Sequence, residues 1–416
     1  MRRREKSSQT DTVDEVPSAV IAAAGQPAGG AAGSSTPAIK PAGPEHARDR
    51  AQGSEDPDGG RNVLSRRRLI LGGAALGASL PLVHQLVPHR GVHHAFEGTA
   101  SAADGNGDGA AHAAHGGSGF STGFREGEVD HAANGFNPTE VLRDFDTGRT
   151  RRMAGGRVLR EWDVVAEDKE IEIAPGVKFA AWTYNGRVPG PTFRANEGDR
   201  LRINFTNGSE HAHTIHFHGI HPDTMDGVPG IGEEIGGGLI EPGRSFSYEF
   251  DAEPFGCHLY HCHALPLAAH IAKGMYGGFI VDPKEGRPEA DEMVMVMNGF
   301  DTNFDGSNEV YAVNTVGFHF VNEPIQVKRD ELVRIYLINI LERDLVNSFH
   351  LHANFFQHFP TGTSLEPTEL TDTIIQGQGQ RAVLEMRFPF PGRYMFHSHV
   401  TEFAELGWMG FFEVSE

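Results

Sequence analysis

Five His-x-His pairs punctuate the chain: His211/His213, His216/His218, His261/His263, His350/His352 and His397/His399. Random placement of 23 histidines over 416 positions would give roughly one such pair. Residues i and i+2 of an extended strand share a face. Two imidazoles so placed suit one metal ion or two adjacent ones, and imidazole is the commonest side-chain metal ligand. The last four pairs fall at equivalent places in two halves of the chain, and their convergence would hold a polynuclear site. The first half adds His261-Cys262-His263 followed by His270 and Met275. A thiolate, an imidazole and a thioether are the ligand types of a blue copper site, which His213 upstream would complete. Thiolate softness selects copper over magnesium or calcium. Cys262 lies between two histidines, so it is placed to pass an electron through the backbone to metals held by its neighbours.

The elements that must position these residues read as strands. Lys169–Ile173 and Arg200–Phe205 alternate apolar and polar. Turn signals recur about every ten residues, among them Asn185-Gly186, Pro189-Gly190, Asn207-Gly208 and Pro242-Gly243. Long helical patterns are absent, so the expectation is an all-β fold of sandwich or barrel type. An internal repeat divides it. Gly198–Phe205 and Arg329–Leu337 each precede a His cluster. Pro254-Phe255-Gly256 and Pro391-Gly392-Arg393 each lead into a second one. Gly274-Met275 and Trp408-Met409-Gly410 each open a last apolar strand. This predicts two related β domains, 151–285 and 286–416, joined near Pro283 to Pro288. Met293, Met295 and Met297 alternate like the core face of a strand.

Residues 1–65 are rich in Ala, Gly, Pro, Ser and charge and read as a disordered leader. Paired arginines at Arg66-Arg67-Arg68 before a modest apolar run resemble a twin-arginine export signal over 66–102, with an N-terminal membrane anchor as the other reading. Ala100-Ser101-Ala102 would suit a signal peptidase. The expected destination is extracellular, cell-surface or periplasmic. Residues 103–150 read as a Gly/Ala/His-rich linker with solvated histidines. A formal charge of −20 argues against nucleic-acid binding, and two cysteines exclude a disulfide framework and a four-Cys zinc site.

From about residue 157 to 416 the chain resembles the multicopper oxidases. The resemblance rests on Tyr184-Asn185-Gly186-Arg187-Val188-Pro189-Gly190-Pro191-Thr192-Phe193, on His216-Phe217-His218-Gly219, and on the run from His261 through His270 to Met275. It implies cupredoxin-like Greek-key β-sandwich domains, a type 1 copper held by His213, Cys262, His270 and Met275, and a trinuclear cluster that reduces dioxygen to water. By resemblance, His216 and His350 hold the type 2 copper. His218, His261, His263, His352, His397 and His399 hold the type 3 pair, giving about four coppers per chain. Two positions depart from the pattern. The first His of a second blue site falls on Asn347 and its Cys on Ser398. The second domain thus resembles a cupredoxin that lost its type 1 copper, as in two-domain, small-laccase-like members. Those place the cluster between subunits of a homotrimer.

The same resemblance implies a carboxylate beside the cluster as proton donor. Asp226 sits where relatives keep an acidic residue, though Asp before Gly is also a turn former. Glu402 is a second candidate and Glu405 a third. Cys257 and His258 match no ligand position, and His211 and His221 are expected to flank the site. The expected partners are dioxygen and a small reductant: a phenol, an aromatic amine or a metal ion. The rival readings are a copper-containing nitrite reductase, also a two-domain cupredoxin trimer, and a non-enzymatic copper or electron-transfer protein.

Overall fold

The computed structural model describes residues 127–416 except 233–234. The leader, the export signal and residues 103–126 of the linker lie outside the described residues. The fold is all-β: two cupredoxin-like Greek-key sandwiches whose four sheets enclose three main cores. The first sandwich pairs a sheet built on Val158–Ala174, Arg200–Asn207 and Ser245–Asp251 with one built on Thr192–Asn196, Tyr276–Asp282, Gly256–His261 and His216–Phe217. The second pairs a sheet carrying Asp291–Phe300, Val333–Asn339 and Arg381–Met386 with one carrying Met409–Ser415, Gly392–His397, Val346–Leu351 and Thr373–Gly377.

Alternation explains how so few strands serve three cores. In Arg200–Asn207, Leu201, Ile203 and Phe205 face inward, while Arg200 and Arg202 pair with Glu249 on the outside. Asp291–Phe300 buries both faces: Met293, Met295 and Met297 enter the core of the second sandwich, Val294 and Val296 the seam between sandwiches. Gly256–His261 is also buried throughout. Cys257 and Leu259 face the seam, and Tyr260 and Cys262 face the core of the first sandwich. The same alternation places His261 on the face opposite Cys262.

An ionic clasp fixes the joint. Arg334, 2 % exposed, donates to Glu292 at 2.7 Å, Glu385 at 2.6 Å and the Pro288 carbonyl at 2.7 Å. Arg194 of the first sandwich donates to both Asp282 oxygens and to Glu292.

The chain is ordered well before Arg157, so the linker over 103–150 needs correcting over its second half. Two short helices, His131–Asn134 and Pro138–Val141, precede the strands Phe145–Asp146 and Arg149–Arg152. Asp130 caps the first helix and Asn137, with Pro138 behind it, the second. Phe136 and Val141 fill the seam, and Leu142 enters the second core. These apolar residues are too sparse to make a periodic pattern. What orders them is a groove supplied by both sandwiches, which no local reading reveals.

Candidate metal centre

Each sandwich carries one His quartet at the same place in its sheet. His216 pairs across the ladder with His261, and His350 with His397. In the first quartet the His216 ring lies 5.0 Å from His218, 5.3 Å from His261 and 5.3 Å from His263. In the second the His350 ring lies 4.9 Å from His352, 5.3 Å from His397 and 5.3 Å from His399. The Nε2 atoms of His218 and His261 are 2.9 Å apart, as are those of His352 and His397. Among the described residues no ring contact joins one quartet to the other.

Backbone carbonyls orient these rings. The Nδ1 of His261 donates to the Cys262 carbonyl and that of His397 to the Ser398 carbonyl. His216 Nδ1 donates to the Asp226 carbonyl at 2.9 Å, and His350 Nδ1 to the Asp372 carbonyl at 3.0 Å. A donor so engaged fixes the tautomer and leaves Nε2 with its lone pair for a metal. His263 Nδ1 is buried and makes no hydrogen bond. Burial pushes His218 down to about 3 and His261 to about 4, and lowers His216, His352 and His397. These imidazoles are neutral at physiological pH, the form that binds metal.

The third centre lies inside the first sandwich. Cys262 Sγ is 3.3 Å from His270 Nδ1 and 3.7 Å from His213 Nδ1, and the two nitrogens are 3.1 Å apart. Ligand bonds of about 2.0–2.3 Å in a trigonal plane put donor atoms about 3.5 Å apart, so the triad fits one ion. Ser209 Oγ lies 3.0 Å from His213 Nε2 and orients that ring. Burial drives His213 down to about 3 and raises the Cys262 thiol, so thiolate here requires a cation beside it. Met275 is fully buried in the same core, and its carbonyl accepts from the Cys262 N–H. Trp182, half-buried, packs its ring 4.8 Å from His270, 5.5 Å from His213 and 4.6 Å from His211.

The matching place in the second sandwich is sealed. Ser398 N–H donates to the Trp408 carbonyl as Cys262 N–H does to Met275. Trp408 N–H donates to Phe403 as Met275 N–H does to His270. Asn347, Ser398, Phe403 and Trp408 therefore stand for His213, Cys262, His270 and Met275. Asn347 Oδ1 accepts from Ser398 Oγ at 2.9 Å. Phe403 stacks on Tyr311 at 4.1 Å, and Trp408 is fully buried. Asn347 and Ser398 were legible as departures; Phe403 and Trp408 were not, because loop lengths differ between the halves.

Of the carboxylates, Asp226 reaches a quartet. Its Oδ1 lies 3.1 Å from His216 Nδ1 and 3.3 Å from His221 Nε2. The turn that brings it there needs Gly227, at φ +69°, where an added Cβ would fall 2.0 Å from the Ile215 carbonyl. Glu402 is not brought to a quartet. It is exposed on the helix Thr401–Glu405, and its charge acts on Tyr311. Glu405 is exposed on the same helix. Sequence reasoning missed Asp372 and Thr373, which hold His350 as the Asp226 turn holds His216. Cys257 lies in the seam, its thiol pushed up to about 12 by burial, and His258 binds the Pro254 carbonyl.

The comparisons identify the family. A solved structure described as a multicopper oxidase is 65% identical, with a TM-score of 0.67 over 69% of this chain and 100% of its own. A copper nitrite reductase structure from Nitrosomonas europaea is 27% identical, with a TM-score of 0.54 over 62% of this chain and 95% of its own. The copper-containing nitrite reductase of Neisseria gonorrhoeae is 31% identical over 253 residues, 56% of this chain. This chain spans 62% of that relative's length. Residues 165–286 and 288–416 each match a multicopper oxidase domain family. The chain belongs to the multicopper oxidase family.

Proposed function

We propose that the protein is a laccase-like oxidase that takes single electrons from a small reductant and reduces dioxygen to water. The observation that carries this reading is the pair of complete, equivalent His quartets beside a single thiolate centre. A nitrite reductase would use one catalytic ion and three histidines, leaving most of eight matched imidazoles without a task. The similarity to nitrite reductases is what favours that second reading.

Copper at these centres would supply one-electron transfer and dioxygen reduction, and the donor atoms fit it. His213, Cys262, His270 and Met275 would hold the type 1 ion. His216 and His350 would hold type 2, and the remaining six quartet histidines type 3. Trp182 covers His270 and His213 and offers a reductant a half-exposed aromatic surface. Cys262 is covalently continuous with His261 and His263, which face the other side of the strand. Asp226 is placed to hand protons to the first quartet.

The lack of a ring contact between the quartets of one chain supports a cluster formed between the first sandwich of one subunit and the second of the next, in a homotrimer like that of the two-domain members the chain resembles. The second quartet suits an interface. His352 and His399 are exposed, and Val346 and Ile375 (46% and 72% exposed) lie on the adjoining strands. The twin-arginine-like stretch supports export of the protein. Copper per chain in fully loaded protein tests the proposal. About four supports one mononuclear and one trinuclear centre, and about two supports the nitrite-reductase arrangement.

A further inference from the structure

We infer that His131, Glu323 and His319 form a separate site for one borderline divalent cation such as Zn²⁺, which clips the N-terminal arm to the second sandwich. One donor atom from each residue lies within 4.8 Å of the others. His131 opens the short helix His131–Asn134 of the arm, and His319 opens the helix His319–Asn322 of the second sandwich. Among the described residues no ring contact or ion pair joins His131, His319 or Glu323 to those centres. The two rings meet edge to face at 5.1 Å. His319 is 4% exposed, with Nε2 2.8 Å from Thr139 Oγ1 and 3.7 Å from Glu323 Oε2.

A hydrogen-bonded His319 alone would explain Thr139 but not His131. His131 Nδ1 is buried and makes no hydrogen bond, an arrangement that an ion or its bound water would satisfy. Zn–N and Zn–O bonds of about 2.0–2.2 Å bring ligands to about 3.4 Å from one another, so the triad must tighten by about 1 Å. Glu323 is exposed and His131 half-exposed, so both can move without disturbing the core. A cavity of about 450 Å³ lined by Glu128, His131, His319, Asn322 and Glu323 gives an entry path and room for water as a fourth ligand. Two imidazoles and one carboxylate suit zinc and its neighbours rather than calcium or magnesium.

The test compares total metal in wild type, His131→Ala and Glu323→Gln, each saturated with copper, then equilibrated with Zn²⁺ and desalted. Wild type should hold one more ion per chain than either variant, whichever metal fills the site. Comparing totals keeps this result independent of how many coppers the other centres take. Zn²⁺ should also slow amide exchange over residues 129–144 in wild type and in neither variant. Unchanged blue absorption in the variants shows that they fold. Equal metal totals in all three proteins, or equal protection of the arm with and without Zn²⁺, would overturn the assignment.

Discussion

Asp226→Asn isolates the proton role from the architectural one. The backbone carbonyl of residue 226, not its side chain, accepts the 2.9 Å bond from His216 Nδ1, so the near-isosteric amide leaves that ring oriented. What disappears is a carboxylate oxygen 3.1 Å from His216 and 3.3 Å from His221. Positioned acid–base groups contribute about 10²- to 10⁴-fold. His221 remains beside the site as a partial substitute, which puts the expected loss near the low end. A hundredfold loss corresponds to about 2.7 kcal/mol of activation free energy. The assay is stopped-flow reoxidation: protein reduced without oxygen is mixed with dioxygen, and the return of the blue absorption is timed. Reduction of the blue centre by the reductant should be unchanged. Reoxidation within about twofold of wild type would refute the assignment and leave Asp226 a turn residue.

Cys262→Ser should abolish blue absorption and leave the His quartets able to take copper, as metal analysis would show. His397→Ala should keep the blue colour and stop dioxygen uptake; full turnover would mean the quartet is structural. Arg334→Met leaves Glu385, 7% exposed, with Arg287 at 3.8 Å as its remaining cationic neighbour. The expected cost is about 3–5 kcal/mol in urea unfolding, largely regained in the double variant Arg334→Met/Glu385→Leu. Burial holds His258 down to about 4, whereas the unfolded chain takes this proton below about 6.5. Between these values the unfolded state binds more protons, so stability falls as pH falls through that window, by on the order of 3 kcal/mol in all. Copper-free wild type should lose more stability than His258→Gln between pH 7 and pH 4, measured by urea midpoints.

The grouping of the histidines was legible because strand periodicity puts alternate residues on one face. A His-x-His pair needs one local fact, a period of two, to put both rings on one face. The two-domain division was legible because a duplicated sandwich repeats its turns and aromatic strands. What stayed hidden depended on distant chain. The arm from Asp130 to Asp146 is ordered by a groove that forms only after both sandwiches pack. Glu402 and Asp226 both sit near cluster histidines in sequence, and only the backbone path through Gly227 distinguishes them. Asp372 acts through its carbonyl, which residue type does not encode.

The sealed cavity of the second sandwich works as a ratchet. Four positions there differ from the metal-ligand types of the first sandwich: Asn347 accepts from Ser398, Phe403 stacks on Tyr311, and Trp408 is fully buried. Reverting one alone creates no ligand field. It strands a thiol, an imidazole or a thioether among aromatic rings, and a polar group so stranded costs about 1–3 kcal/mol. A metal there would need several of the four positions to change at once. Ordinary packing energy thus holds the difference between the two halves in place.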